Sequence, residues 1–191
     1  MKQNRKGFTI IEVVLVLAIA GLIFLMVFIA LPALQRSQRN TQRKNDLSRI
    51  ATAAVSYASN NNGKTPFEIC SGIFNNASNT GSDSSDSRSD TLNKFIVRYV
   101  VAGGDIGSQF SDPDGEEYMI SCSGFQTPFQ ALAAGETYDQ SAAGSLDHYI
   151  YSYFQSKCSP EEGKIIKTAG RHDFSLSYRL EGGSWACVDN Q

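Results

Sequence analysis

Glu12 is the first candidate functional residue, because it is an ionisable residue at the edge of a long apolar run. Residues 6–9, a short way before it, read Lys-Gly-Phe-Thr. Directly after it come 22 residues, 13–34, that carry no charged or polar side chain. Placing a charge in a bilayer costs roughly 2.5–3.5 kcal/mol on insertion scales. Two interpretations follow from the residues: Glu12 starts a helix, whose N-terminus favours negative charge, or it pairs with a cation from another chain.

Cysteines are the second group of candidate residues, and four are present: Cys70, Cys122, Cys158 and Cys187. They allow three disulfide pairings. No Cys-x-x-Cys spacing occurs and the chain has only two histidines, so a zinc site is not expected. Disulfides are the default outside the cytoplasm, and buried free thiols are the alternative.

An acidic turn at 112–117, which reads Asp-Pro-Asp-Gly-Glu-Glu, is a candidate cation site. It lacks the ligand spacing and the glycine position of a calcium-binding EF-hand loop. The pattern favours a plain turn, so we expect no cofactor, with calcium near Asp112 and Asp114 as the alternative. Nucleophile-elbow, zinc-protease and phosphate-loop motifs are absent, and His148 and His172 are expected to be structural or solvated. We therefore predict no catalytic residues and no enzyme.

The apolar run 13–34 is long enough to span a membrane, because a helix of that length extends roughly 33 Å. A cleaved secretory signal has a shorter apolar region, so a retained membrane helix is favoured. Charge is uneven around it: residues 1–7 carry +3, 35–63 carry +4 and 64–191 carry -8, within a net charge of -2. Both flanks of the run are basic, so charge alone does not settle the orientation.

Residues 5–13, which read Arg-Lys-Gly-Phe-Thr-Ile-Ile-Glu-Val, resemble the class III signal of type IV pilins and of the pseudopilins of type II secretion systems. That signal is a short basic leader ending in glycine, then Phe, Thr, a Glu four residues after the Phe, and an apolar run. The resemblance covers residues 1–63, and the remainder resembles the family only in its layout.

The resemblance implies a processing pathway. A prepilin peptidase would cut between Gly7 and Phe8 on the cytoplasmic side, methylate the new amine of Phe8 and leave 184 residues. Glu12 would pair with the Phe8 amine of a neighbouring subunit. The precursor would be a single-pass protein of the inner membrane, and the product an extracellular or periplasmic filament. The implied partners are other copies of the chain, the peptidase and a pilus or secretion assembly platform, with no nucleic acid.

The long helix is predicted to run from about Thr9 to about Asn60, where an Asn-Asn-Asn-Gly stop begins. Pro32 predicts a kink, and the resemblance implies local melting between Gly21 and Pro32 in a filament. One face of the second half is apolar, and the basic residues are predicted to form a solvated collar. The apolar face contains Leu47, Ile50, Ala51, Ala54 and Ala58; the collar contains Arg36, Arg39, Arg43, Lys44 and Arg49.

The predicted fold class is α+β, a type IV pilin-like arrangement of a long N-terminal helix and a small antiparallel β-sheet head. Strands are expected near 118–122, 148–154, 174–180 and 185–188, with a hairpin at Gly182-Gly183. A short helix is expected after Asp90. The resemblance implies a Cys158–Cys187 disulfide, which leaves Cys70 with Cys122.

Four segments follow from this: a basic leader 1–7, a transmembrane or assembly helix 8–34, an amphipathic helix 35–63, and a head 64–191 with a flexible loop at 75–90. The expected function is that of a structural subunit of a type IV pilus-like filament. The alternatives are a pseudopilin of a type II secretion system and a membrane-anchored extracytoplasmic binding domain that does not polymerise.

Overall fold

A computed structural model of the chain describes residues 7–68, 72–75, 92, 94–101, 110–122, 129, 131–141 and 148–191. Within these ranges the chain forms one α-helix, a π-helical segment at Ile96–Val100 and eight strands. The elements are α1 (Ile10–Asn60), β1 (Gly72–Asn75), β2 (Met119–Cys122), β3 (Thr137–Asp139), β4 (Tyr149–Phe154), β5 (Ser156–Cys158), β6 (Lys164–Lys167), β7 (Phe174–Arg179) and β8 (Trp185–Asp189).

Helix α1 has the predicted length and a defined stop. Asn62 and Gly63 both adopt positive φ angles, of 56° and 79°. The Gly63 amide donates to the Ala58 carbonyl oxygen over 2.9 Å, which satisfies one carbonyl at the helix end. The helix is continuous through Gly21 and Pro32 in this single chain. Melting between those residues concerns the filament and stays a prediction.

Two compact units make up the chain, Met1–Gln38 and Arg39–Gln191. In the first, the apolar run of α1 is long and apolar enough to cross a membrane, and it is the only helix of that kind among the described residues. Its large side chains are exposed, from Phe8 at 88% to Leu34 at 56%. The second unit contains the other half of α1 and every described strand.

A five-stranded sheet forms the centre of the second unit, with the order β1-β2-β4-β7-β8. The pairs β1–β2, β4–β7 and β7–β8 are antiparallel, and Gly182-Gly183 makes the predicted hairpin. Strands β2 and β4 are parallel, with Ile120 opposite Ile150. The sequence-based expectation of antiparallel strands alone was therefore wrong for this pair, and the sheet is antiparallel-rich.

The main hydrophobic core lies between the second half of α1 and one face of this sheet. The apolar helix face predicted from spacing is buried there, with Leu47 1% and Ile50 0% exposed. The sheet contributes the apolar members of β2, β4 and β7 to the same cluster: Ile120, Cys122, Ile150, Phe174, Leu176 and Tyr178. The alternation of Phe, Leu and Tyr with Ser along β7 thus selects the face that meets the helix.

A second, three-stranded sheet of order β3-β6-β5 covers part of the opposite face of the central sheet. It encloses a smaller core around Phe129, Tyr153 and Ile165. Because of this cover, Ser175 and Ser177 of β7 are also buried. The Ser156 and Ser175 hydroxyls lie 2.7 Å apart between the sheets. This second sheet was not predicted from the sequence.

Cys158 and Cys187 form a disulfide, the pair that the resemblance implied. Cys122 is also disulfide-bonded, whereas Cys70 lies outside the described residues, so its pairing stays a prediction. The predicted loop at 75–90 lies outside the described residues too, apart from Asn75, which ends β1.

Candidate functional site

The residues around the expected cleavage point combine an extended segment with a helix cap. Gly7 and Phe8 are exposed and precede the helix. Glu12 reaches back to Thr9: one carboxylate oxygen accepts hydrogen bonds from the Thr9 amide at 2.9 Å and from its hydroxyl at 2.8 Å. The Thr9 hydroxyl in turn accepts from the Glu12 amide at 3.4 Å. This reciprocal arrangement is a capping box, which fixes the start of α1 just after the exposed segment.

The exposed apolar surface that follows is unusually large for a single chain. Among the described residues, nineteen of the twenty large exposed hydrophobic side chains lie between Phe8 and Leu34. Contiguous apolar patches of this kind mark surfaces that contact a membrane or other proteins. The first unit is therefore an element that requires an apolar environment outside its own fold.

Arg43 anchors the second unit from inside, because its side chain is only 4% exposed. Its Nε and NH2 atoms donate to the two oxygens of Asp112 at 2.7 and 2.5 Å. Asp112 also accepts from the Tyr178 hydroxyl at 2.7 Å, and Asp114 accepts from Arg43 at 3.1 Å. A bidentate arginine–carboxylate pair of this geometry fixes orientation as well as charge. It joins α1 to the 112–115 turn and to β7.

Glu181, in the β7–β8 turn, completes the ion cluster on the helix side. It accepts bidentate hydrogen bonds from Arg39 at 2.6 and 2.7 Å and a further one from Arg43 at 2.7 Å. Asn40 binds both the amide and the carbonyl oxygen of Glu181. We call Arg39, Asn40, Arg43, Asp112, Tyr178 and Glu181 the Arg43 network. It connects the 112–115 turn and the β7–β8 turn to residues 39–43 of α1.

The predicted solvated collar is therefore wrong for Arg43, and for Arg39, which is paired with Glu181. Lys44 is exposed, as predicted. Arg49 is exposed and donates to the Val100 carbonyl oxygen at 2.6 Å. The burial of Arg43 could have been predicted from its spacing. It precedes Leu47 by four residues, which places it on the apolar face of α1.

The charges of the Arg43 network determine the ionisation of its carboxylates. Hydrogen bonds from Arg39, together with the nearby Arg43 charge, lower the pKa of Glu181 to about 2. Burial alone would raise the pKa of Asp112, but the hydrogen bonds from Arg43 and Tyr178 outweigh it and hold that pKa below its usual range. Burial and the carboxylate of Asp112 raise the pKa of the Tyr178 hydroxyl.

These shifts predict acid lability of the head. Both carboxylates have folded-state pKa values below their unfolded values, so the pairing contributes stability that is complete above about pH 4.5 and is lost as the pH falls toward 2. We expect the free energy of unfolding to decrease over that window. Glu181→Gln should flatten the decrease, and Glu117→Gln, which changes an acidic residue outside the network, should leave it unchanged. Urea unfolding at a series of pH values measures both slopes; equal slopes in wild type and Glu181→Gln would contradict the assignment.

In the acidic turn, Arg43 uses both carboxylate oxygens of one candidate calcium ligand, Asp112, and the absence of a calcium site stays a prediction. The ligand atoms of Asp112, Asp114 and His148 lie within 4.8 Å of one another, which is the one such cluster in the described part of the chain. Both oxygens of Asp112, however, accept hydrogen bonds from Arg43, whose charge already compensates the carboxylate. Gly115 donates to the Asp112 carbonyl oxygen at 2.9 Å, as a plain turn requires.

Residues 2–28 match the family model of the prokaryotic N-terminal methylation motif. No curated protein and no solved structure showed a significant match to the chain.

The chain thus carries the class III signal of type IV pilins and pseudopilins. Its long N-terminal helix followed by an antiparallel-rich sheet is consistent with an α+β, pilin-like fold. The motif and the apolar helix together fit a membrane-anchored precursor of the prepilin type.

Proposed function

We propose that the chain is a structural subunit of a type IV pilus-like filament, made as a prepilin and polymerised through its apolar N-terminal helix. The observation that carries the proposal is the methylation motif at 2–28 joined to a helix whose apolar side chains are exposed. The motif is recognised by a processing enzyme, and the exposed helix surface requires an apolar partner. Both are needed for the transfer of the helix from the membrane to the filament.

Processing supplies the first chemical change. The peptidase cleaves the Gly7–Phe8 peptide bond and methylates the Phe8 amine. The exposed, non-helical position of this bond supports access, because a protease must bind its substrate as an extended segment. The capping box begins one residue later, so cleavage leaves the helix start intact.

Assembly then brings a new positive charge into an apolar bundle. The Phe8 amine of one subunit pairs with Glu12 of a neighbour, which compensates two charges that would each be costly alone. In the precursor, the described contacts of the Glu12 side chain all go to Thr9, so no protein cation has to be displaced. Packing of the exposed run 13–34 against other copies supplies the apolar burial.

The head, with a charge of -8 over residues 64–191, faces the surroundings of the filament. The Arg43 network holds this acidic head on the second half of α1. A pilus assembly platform extracts the processed subunit from the inner membrane.

A deletion strain of the host tests this function. We expect surface filaments seen by electron microscopy to disappear on deletion and to return with the full chain expressed in trans. Filaments that persist in the deletion strain, with the subunit absent from them, would contradict the proposal. A non-polymerising binding domain would instead leave a processed or unprocessed monomer in the membrane.

A further inference from the structure

A cavity of about 340 Å³ opens in the head beside the Cys158–Cys187 disulfide, away from the helix and the Arg43 network. Ligand pockets in proteins are typically roughly 300–1,000 Å³, so this volume suits a small ligand of one or two rings. The residues that line this cavity include Gln140, Glu161, Glu162, Lys164, Ser177 and Trp185.

Gln140 supplies a half-satisfied polar group to this cavity. Its side chain belongs to a residue only 2% exposed, and its oxygen accepts a hydrogen bond of 2.6 Å from the buried Ser177 hydroxyl. The amide nitrogen, with two donors, makes no hydrogen bond to the described residues. The buried polar side-chain atoms left without a partner among the described residues are Thr65 Oγ1, His148 Nδ1 and Thr168 Oγ1, so the Gln140 nitrogen is accessible rather than enclosed. Because Gln140 lines the cavity, its two N–H donors are available to a ligand that accepts hydrogen bonds.

Trp185 supplies an aromatic wall. Gly163 packs against its ring so closely that a Cβ atom at that position would lie 3.1 Å from Trp185 Cδ1. The Trp185 amide donates to the Glu162 carboxylate at 2.6 Å, and Tyr151 supports the ring from a centroid distance of 6.1 Å. The indole therefore has packing neighbours in Gly163 and Tyr151 and forms part of the cavity wall, where an aromatic ring can stack on a flat apolar face.

The rim is polar and disfavours an anionic ligand. Glu161 and Lys164 form an ion pair of 2.5 Å, so their charges compensate each other. Glu162 adds a further carboxylate, which disfavours anions and offers an acceptor for hydroxyl groups. An aromatic ring, amide donors and carboxylate acceptors are together the chemistry that recognises a sugar ring, with its apolar C–H face and its rim of hydroxyls.

We propose that this cavity is a binding site for a neutral pyranose sugar, with Trp185 stacked on the ring and Gln140 donating to its hydroxyl or ring oxygen. The site lies entirely within the second unit and does not depend on polymerisation. It gives the head a ligand-binding role in addition to the proposed role in a filament.

Trp185 also makes the proposal easy to test, because it is the only tryptophan in the chain. The full-length protein in a detergent without a sugar headgroup is titrated with glucose, galactose, mannose and N-acetylglucosamine. We expect a saturable change in tryptophan fluorescence with at least one of them, with a Kd of about 1–10 mM, and protection of Trp185 from acrylamide quenching. The acyclic polyol sorbitol should give neither effect.

Variants distinguish sugar binding at this cavity from a general effect of the sugar solution on tryptophan fluorescence. Gln140→Leu, which keeps the volume and removes the donors, should weaken binding by about 10-fold or more, since an unmet hydrogen-bonding requirement discriminates strongly. Glu117→Gln, outside the cavity lining, should bind as wild type. If Gln140→Leu does not fold by near-UV circular dichroism, quenching protection in the wild type decides. Absence of a saturable response to all four sugars, or unchanged binding by folded Gln140→Leu, would overturn the proposal. Both readouts use unassembled protein, so they are independent of whether filaments form.

Discussion

Replacing Arg43 by methionine is expected to destabilise the head by about 3–5 kcal/mol, because it leaves the fully buried Asp112 carboxylate without its cation. Tyr178 would be the one remaining side-chain donor to Asp112 among the described hydrogen bonds. Urea unfolding of the full chain in detergent, followed by near-UV circular dichroism, measures the change.

Two variants make this result specific. Lys44→Met removes the adjacent, exposed cation and should change stability by no more than about 0.5 kcal/mol. The double variant Arg43→Met with Asp112→Asn should recover part of the loss, since the buried negative charge is then gone. If Arg43→Met and Lys44→Met are equally mild, the Arg43 network does not hold the head on the helix.

Removing the charge of Glu12 is expected to reduce filament yield by about 100-fold while leaving cleavage after Gly7 intact. The physical reason is the cost of an unpaired ammonium in an apolar bundle, roughly 2.5–3.5 kcal/mol for each charge. Electron microscopy and the amount of sheared filament measure assembly, and the mobility of the mature chain measures cleavage.

Glu12→Gln is the matched control for the helix cap. Glutamine at this position retains a capping box with Thr9 but carries no charge, whereas Glu12→Ala loses both. Loss of filaments in both variants assigns the effect to charge. Normal filaments from Glu12→Gln would contradict the pairing with the Phe8 amine and would leave Glu12 as a cap alone.

The long helix was predictable because its determinants are local. The apolar run, the Thr9 start and the Asn-Gly stop each act within a few residues, and the helix spans Ile10–Asn60 as a result. Strands β4, β7 and β8 were equally visible as short β-rich segments separated by glycine turns. Spacing on α1 selected the face that packs on the sheet.

Partners distant in sequence were not predictable in the same way. Arg43 meets Asp112 and Glu181 across 69 and 138 residues, and no local pattern encodes those distances. Grouped with the other basic residues of α1, Arg43 was predicted to lie on a solvated surface. Its spacing from Leu47 and Ala51 places it on the buried face instead. The second sheet was missed because β3, β5 and β6 are only three or four residues long. Without that sheet, neither the burial of Gln140 nor the cavity beside Trp185 could be anticipated.

The intact mass of the protein, purified from its host membrane or filaments, tests directly whether the Gly7–Phe8 bond is cleaved. We expect a chain of residues 8–191 with one added methyl group, located by fragmentation on the Phe8 amine. A chain that still begins at Met1, or one that is cut at any other bond, would contradict it.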